Sequence, residues 1–192
     1  PHRKYSFVVW ADVVTSASDE DWHYDTDDLR NISLLGEQKA MDESRDAFTG
    51  VATVENYTGA SIIEVNLTRP FAKLRVKTID LADLAPLGIV PAYATVTYTS
   101  NQRVAFDALA RTAKDAEQNA YTITKTVTYA TDAYSGDSAT LFTDYLFANE
   151  DVVKFTMDVM QESGRRIKLN DFNTDIPVKR NCLTTIAGNI LT

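Results

Sequence analysis

The stretch Leu67-Thr-Arg-Pro-Phe-Ala-Lys-Leu-Arg-Val76 contains an alternating pattern that predicts a half-solvated β-strand after Pro70. The residues before the proline alternate in the opposite phase. Because proline cannot donate a hydrogen bond to a neighbouring strand, the change of phase predicts a kink, a bulge or a tight corner there. We expect Arg69 to brace that corner. The residues expected in the core are Ala72, Leu74 and Val76, and those expected in solvent are Lys73, Arg75 and Lys77.

Similar segments recur along the chain and predict an all-β protein. Residues 60–67 read as a strand, and about ten strands separated by turn signals are typical of an antiparallel β-sandwich. Residues 107–119 fit either a short helix or a surface excursion. Residues 79–84 have helical spacing and stop before Pro86, which predicts a short helical connection. A weak domain boundary, if there is one, is expected at 79–91.

Composition limits the classes of function. The chain has 192 residues, a formal net charge of -8 and a pI of about 4.7. An acidic chain is repelled by nucleic acid and by anionic lipid surfaces, so neither is expected as a partner. A single cysteine, Cys182, excludes an intrachain disulfide and a cysteine-based metal site. The chain begins Pro-His-Arg without methionine, and we expect a fragment of a longer precursor.

The residues suited to catalysis are few and scattered, so we do not expect an enzyme. His2 and His23 are candidate general bases, but both are expected to be surface residues without a task. Cys182 is expected to be a half-buried filler, because a reactive thiol needs a base and an electropositive setting. The glycine motifs of nucleotide-binding loops are absent from the sequence. A carboxylate pair for glycoside hydrolysis is not indicated either, although the chain is rich in acids.

The acidic segment Asp19–Asp28 is the best candidate for a ligand. Its carboxylates suit calcium, but the spacing lacks the glycine and the distal glutamate of a calcium-binding helix-loop-helix. A solvated loop is therefore the expectation, with calcium as the alternative, and no other cofactor is expected. Trp22 and Tyr24 within it, together with Trp10, are candidates for stacking on a sugar. The alternative is that these aromatic rings pack over an open end of the sandwich.

Six segments together resemble the fimbrillin family of fimbrial subunits and surface lipoproteins of Gram-negative anaerobes. The resemblance lies in their order and spacing along most of the chain, and Arg-x-x-Ala-Lys-Leu-x-Val, beginning at Arg69, is among the most specific. The segments are Tyr5–Asp12, Arg45–Gly50, Leu67–Val76, Asp144–Ala148, Ile176–Asn181 and Leu183–Thr192.

The resemblance implies that residues 1–192 form one fimbrillin-type unit. Its architecture would be transthyretin-like and antiparallel, with either one or two β-sandwiches. It also implies export to the cell surface, where a lipid anchor outside this segment would attach the protein to the outer membrane. Assembly with other subunits would occur by β-strand exchange. The partners would be other fimbrial subunits, or a host surface protein or glycan. A surface carbohydrate-binding lipoprotein is the alternative function.

Assembly by strand exchange requires a sheet edge with unpaired N–H and C=O groups and apolar pockets. We expect such edges near both ends of the chain, where the apolar residues could equally be ordinary core positions. Arg180 and Asn181 are expected in a turn or a bulge, because asparagine tolerates a positive φ angle. The candidate assembly residues are Tyr5, Phe7, Val9, Ile186, Ile190 and Leu191.

Overall fold

The structure of the chain is a computed structural model, which describes residues 4–14, 21–36, 39–55, 59, 62–115, 124–128 and 137–192. Within these ranges the chain is dominated by strands. A helix α1 (Leu81–Leu84) and two 3-10 turns (Glu43–Arg45 and Ala85–Leu87) interrupt them. The strands are β1 (Tyr5–Asp12), β2 (Tyr24–Asp25), β3 (Ile32–Leu34), β4 (Ala47–Val54), β5 (Phe71–Thr78), β6 (Tyr93–Tyr98), β7 (Arg103–Asp107), β8 (Thr112–Asp115), β9 (Thr124–Thr128), β10 (Ala139–Phe147), β11 (Glu150–Met160), β12 (Arg166–Lys179) and β13 (Leu183–Gly188).

The strands form four sheets, and almost all pairings are antiparallel. β10, β5 and β13 form one sheet in that order, in which β13 runs parallel to β5. The second sheet has the order β12-β11-β6-β9, and the third has the order β2-β3-β7-β8. β1 and β4 form a two-stranded ribbon. This arrangement confirms the predicted all-β fold.

The larger core lies between the β10-β5-β13 sheet and the β12-β11-β6-β9 sheet. Leu74 of β5, Val96 of β6 and Phe155 of β11 are fully buried in it, so two sheets enclose one apolar layer, as in a sandwich. The predicted inward residues of β5 are all buried. Its polar face is only half solvated, because Glu43 and the ring of Tyr145 lie over Lys73.

A smaller, mainly aromatic core packs the β2-β3-β7-β8 sheet against the β1-β4 ribbon. Tyr24, Phe71 and Phe106 are buried in it, and Phe147 stacks on both phenylalanines, with ring centroids 4.8 and 6.0 Å away. Since Phe71 and Phe147 belong to β5 and β10, these two strands contribute to both cores. The two cores are therefore connected through β5 and β10.

Three local predictions need correction. Residues 62–67 form no strand, because the segment makes only one bridge to β4, between Thr49 and Thr68. The segments Arg166–Leu169 and Ile176–Lys179, whose patterns predict two separate strands, belong to one strand, β12, whose irregular register accommodates the residues between them. Of the two alternatives for residues 107–119, the helix is wrong, because residues 112–115 form β8 and pair with β7; residues 116–119 lie outside the described residues.

The helical connection is confirmed. α1 is followed by the 3-10 turn that contains Pro86, and Gly88 ends it with φ +65°, a left-handed conformation that suits glycine. The boundary at 79–91 remains a prediction. The larger core includes residues from both sides of it, such as Leu74 and Val96.

Candidate interaction surface

The apolar residues predicted for assembly at the start of the chain lie on one face of the β1–β4 ribbon. Val8 and Trp10 alternate with them and pack against the smaller core. Tyr5 and Phe7 are therefore on the opposite face, where they are 39% and 37% exposed, and Val9 is half-buried. A strand with large apolar residues on its outer face is unusual unless another surface covers it.

β1 is also an edge strand. Among the described residues, β4 is the only strand that pairs with it, in register from Tyr5 opposite Val54 to Asp12 opposite Ala47. The other side of an edge strand presents backbone N–H and C=O groups that a further strand could pair with. Among the residues that the structure describes, the exposed apolar face and the side of the strand without a pairing partner therefore coincide on β1.

The segment 62–68 continues this apolar surface across β4. A Cβ atom on Gly50 would lie 2.6 Å from the carbonyl oxygen of Asn66 and 3.0 Å from a methyl carbon of Leu67. Gly50 is opposite Val9 in the ribbon, so Leu67, which is 43% exposed, extends the surface that begins with Val9. Ile62 lies further along the segment and is 95% exposed.

The candidate residues at the other end of the chain occupy a different place. Ile186 in β13 is half-buried against the larger core, and Ile190 and Leu191 after β13 are buried within it. β1 packs against the smaller core. The assembly residues predicted at the start of the chain and those predicted at its end therefore belong to different cores. The C-terminal residues fill the sandwich, whereas Tyr5 and Phe7 are exposed.

Asp80 holds the C-terminal segment in place. Its carboxylate is buried and accepts hydrogen bonds from the backbone N–H groups of Leu191 and Thr192 at 2.9 and 2.8 Å. The hydroxyl groups of Thr78 and Thr192 also bond to it. Burial raises the pKa of Asp80, but these hydrogen bonds outweigh burial and hold its pKa below the usual value.

A buried ion pair connects the two cores. Arg45 Nη1 lies 2.6 Å from Asp144 Oδ1, and both side chains are almost completely buried. Tyr98 donates to the other oxygen of Asp144 at 2.9 Å, and Arg45 donates to the carbonyl oxygen of Tyr145 at 2.9 Å. Tyr24 donates to the carbonyl oxygen of Arg45. Except for Arg45 Nε, which has no hydrogen-bond partner among the described residues, these contacts pair the buried polar atoms of the group with one another, so we assign it a structural role.

Arg69 braces the corner at Pro70, as predicted. Its guanidinium bonds to both oxygens of Asp46, at 2.8 and 2.7 Å, and its backbone N–H donates to Asn181 Oδ1 at 3.1 Å. Asn181 has φ +59° and donates from its own N–H to the carbonyl oxygen of Phe71. Two segments of the family resemblance, around Arg69 and Asn181, thus meet at one corner.

The aromatic residues of the acidic segment do not form an exposed pair. Tyr24 is fully buried and meets Trp10 edge-on, with ring centroids 5.4 Å apart. Trp22 is 41% exposed and stacks on His23 at 4.2 Å. His23 is buried rather than a surface residue, because it fills the space between Trp22 and the hydroxyl of Ser44, 2.8 Å from its Nε2. Burial lowers the pKa of His23.

The described carboxylates of this segment hold its turns together. Asp21 accepts from the N–H and hydroxyl of Thr26, and Asp28 accepts from the N–H of Arg30. Among the described residues, no three acidic, histidine or cysteine side chains are placed to hold a metal ion. Residues 15–20, and with them Asp19 and Glu20 of the calcium alternative, lie outside those residues, as does His2.

Two further features were not anticipated. Cys182 is exposed rather than half-buried, because it lies in the turn between β12 and β13. An apolar groove of about 450 Å³ lies beside α1, and its lining includes Leu81, Pro86 and Val90. The only sequence signal for this groove is the run of apolar residues around Pro86 and Pro91, which reads equally well as a connection.

The fold and surface define the chain as an all-β sandwich protein with an exposed apolar edge strand. Its whole length, residues 1–192, matches the model of a protein family described as a family of unknown function, DUF6562. The chain belongs to that family. No curated protein matches its sequence closely enough to count as a relative.

Solved structures with similar folds come from related bacteria. A candidate cell adhesion protein from Bacteroides uniformis superposes with a TM-score of 0.53 and 14% identity, covering 96% of this chain and 67% of that one. A candidate adhesin from Bacteroides ovatus gives a TM-score of 0.49 and 14% identity, covering 97% and 69%. The fimbrial anchor protein of Porphyromonas gingivalis gives a TM-score of 0.43 and 14% identity, and the match covers 89% of this chain and 60% of the anchor protein. At this identity the first match establishes a shared fold alone.

Proposed function

We propose that this protein is a structural or adhesive cell-surface protein, a fimbrial subunit or tip adhesin that assembles by β-strand complementation. The observation that carries the proposal is β1, an edge strand whose exposed face presents Tyr5 and Phe7. A strand from another subunit could pair with the open edge, and its apolar side chains could cover these rings. The fold shared with a candidate cell adhesion protein and the resemblance to fimbrillins support the same function.

The proposal includes location and partners. We place the protein at the outer membrane or in a fimbrium, attached through a lipid anchor outside this segment, with other fimbrial subunits or a host surface protein or glycan as partners. None of the helices among the described residues is long and apolar enough to cross a membrane. The buried polar group around Arg45 has a structural role, and we propose no catalytic activity for the chain.

The assembly surface is tested by placing a charge on it. Phe7→Lys adds an ammonium group to the exposed face of β1 and should abolish self-association, because lysine on an edge strand opposes pairing with another strand. Leu87→Lys is the matched control, since Leu87 is an exposed apolar residue in the 3-10 turn far along the chain. Light scattering after size-exclusion chromatography, before and after limited proteolysis, measures the mass as a function of concentration.

We expect the wild-type chain and Leu87→Lys to form larger species at high concentration, and Phe7→Lys to remain monomeric with an unchanged thermal unfolding midpoint. A wild-type chain that stays monomeric under all of these conditions would refute assembly through β1. Equal association of Phe7→Lys and wild type would refute it as well.

Trp22 supports the alternative function, a surface carbohydrate-binding lipoprotein. Its indole is exposed on one side and stacked on His23 on the other, so the exposed side can accept a sugar ring without any rearrangement. A glycan array probed with and without calcium tests this function. Binding that disappears in Trp22→Ala would favour it, and an array without Trp22-dependent binding would exclude it.

A further inference from the structure

Three turns from distant parts of the chain meet at one corner of the protein. The turn between β7 and β8 contains Arg111, the turn between β10 and β11 contains Asn149, and the turn between β12 and β13 contains Arg180. Asn149 connects them, because its Oδ1 accepts from the N–H of Ala113 at 2.8 Å and its carbonyl oxygen accepts from the N–H of Arg180 at 2.9 Å. Arg111 and Arg180 are therefore on either side of Asn149.

A second chain of contacts joins the same two arginines from the other side. Arg111 Nη2 lies 3.4 Å from the hydroxyl oxygen of Thr68. The next residue, Arg69, donates its backbone N–H to Asn181, the neighbour of Arg180. Arg111 also has φ +57°, a left-handed conformation that is uncommon for arginine and sets the direction in which it leaves the turn.

The positive charge at this corner is not balanced. Arg69 is paired with Asp46, and Lys179 is paired with Glu150. Among the residues that the structure describes, no carboxylate lies within ion-pair distance of Arg111 or Arg180. Two unpaired guanidinium groups are thus held together in a chain whose net charge is -8.

Arg180 is held in this position by packing. Its Nη1 atom is buried and has no hydrogen-bond partner among the described residues. Burial lowers the pKa of Arg180, and the charge of Arg111 lowers it further, which shows that the two side chains act on each other. A guanidinium in such a setting gains both charge compensation and hydrogen bonds when an oxoanion binds beside it.

We propose that Arg111, Arg180 and Thr68 form a binding site for an oxoanion, that is, a carboxylate, sulfate or phosphate group of a small ligand. The planar guanidinium groups suit two oxygens of such a group. The hydroxyl of Thr68 accepts from Arg111, so its own hydrogen is available to the same oxoanion. The site is independent of the β1 edge and of the function proposed for it.

The site is tested with simple anions on the intact chain. Sodium sulfate, sodium phosphate and sodium glucuronate are titrated against sodium chloride at matched ionic strength, and the thermal unfolding midpoint is measured. The glucuronate arm distinguishes a carboxylate ligand from the two tetrahedral anions. The variants are Arg111→Gln, Arg180→Gln and, as a matched control, Arg165→Gln, which removes an exposed arginine from the β11–β12 turn.

At least one of the three anions should raise the midpoint of the wild-type chain and of Arg165→Gln above the chloride value. Arg111→Gln and Arg180→Gln should each weaken the apparent affinity about tenfold, the value expected for loss of one charge-assisted contact. Side-chain NMR signals of Arg111 and Arg180 in the wild-type chain should move with that anion while those of Arg165 do not. This readout does not depend on the stability of any variant.

The proposal fails if the arginine signals of the wild-type chain do not respond to any of the three anions. It also fails if Arg111→Gln and Arg180→Gln respond to the anions as strongly as the control.

Discussion

Arg45 and Asp144 are 99 positions apart in the chain and form an ion pair of 2.6 Å that is shielded from solvent. Arg45 ends a 3-10 turn, and Asp144 lies in β10, one of the two strands that contribute to both cores. Tyr98 of β6 donates to the same carboxylate. The pair therefore fixes the position of the turn against two sheets at once.

The first prediction concerns this pair. Asp144→Asn should destabilise the protein by about 3–5 kcal/mol, because it leaves the buried charge of Arg45 without its partner. Arg45→Met should have a similar effect for the same reason. Urea unfolding followed by circular dichroism measures the loss of free energy of unfolding.

The double variant and an exposed pair complete the test. The double variant should lose less free energy of unfolding than the two single variants lose in sum, since it leaves no buried charge without a partner. At the exposed pair of Lys154 and Asp175, 3.1 Å apart, Lys154→Met should cost at most about 1 kcal/mol. Additive effects of Arg45→Met and Asp144→Asn would contradict the direct coupling described here.

The second prediction concerns the dependence of stability on pH. Because the pKa of Asp80 is lower in the folded protein than the ordinary aspartate value of 3.8, its contribution to stability is fully present above pH 3.8 and is lost as the pH falls through the folded pKa. Asp80→Asn should cost about 1–3 kcal/mol near neutral pH, the value for hydrogen bonds to a charged group. The difference from wild type should shrink below pH 3.8.

Unfolding curves between pH 7 and pH 2 for wild type, Asp80→Asn and Asp83→Asn measure this effect. Asp83 is an exposed carboxylate on the same helix, so its substitution controls for the change in net charge. Other carboxylates with lowered pKa values, such as Glu43, titrate in all three proteins and cancel in the comparison. A constant difference between wild type and Asp80→Asn over the whole range would disprove the role of the Asp80 charge.

The alternating patterns along the chain, including the one around Pro70, were sufficient to predict the fold class. Alternation in β5 identified Ala72, Leu74 and Val76 as core residues because the side-chain period of a strand is a local property of the backbone. The brace formed by Arg69 and the positive φ angle of Asn181 were predicted for similar local reasons. Tyr5, Phe7 and Val9 of β1 were predicted as assembly residues because they are apolar, and that pattern left an exposed face and an ordinary core position equally open.

The contacts that organise the interior could not be predicted in this way. The partner of Arg45 and the role of Asp80 depend on residues about 100 positions away, and neither residue type is unusual in a loop or turn. Residues 62–67 alternate like a strand, but the close approach of the segment to Gly50 leaves only one bridge. His23 was misplaced because the acidic segment was expected to be solvated, whereas its imidazole is buried; for Tyr24 the alternative that its ring packs on the sandwich agrees with its burial.

The third prediction concerns Asn181. Asn181→Ala should cost about 1–2 kcal/mol, because alanine is strained at φ +59° and cannot accept the hydrogen bond from Arg69. Asn181→Asp keeps an acceptor and tolerates the left-handed conformation, so its free energy of unfolding should remain close to that of wild type. Asn181→Gly relieves the backbone strain but does not restore the hydrogen-bond acceptor, so its free energy of unfolding should lie between those of Asn181→Ala and Asn181→Asp. An alanine variant as stable as the aspartate variant would argue against this account.

The fourth prediction concerns Gly50 and the segment that crosses it. A Cβ atom at Gly50 would lie 2.6 Å from the carbonyl oxygen of Asn66 and 2.6 Å from a methyl carbon of Val65. Gly50→Ala should therefore displace the segment 62–67 and cost about 1–3 kcal/mol, as overpacking does elsewhere. The displaced segment should also be cut faster by proteases, which mass spectrometry of the fragments would locate.

Gly188→Ala provides the matched control for this substitution. Gly188 also lies in a strand, its φ angle is not positive, and no heavy atom lies within 4 Å of the Cβ that alanine would add. Its free energy of unfolding should equal that of wild type or exceed it by up to about 1 kcal/mol, since alanine loses less backbone entropy than glycine on folding and meets no obstacle. Its rate of proteolysis should not rise. If Gly50→Ala behaves like Gly188→Ala in both measurements, the segment 62–67 does not rest on β4, and the surface that Leu67 shares with Val9 does not form in solution.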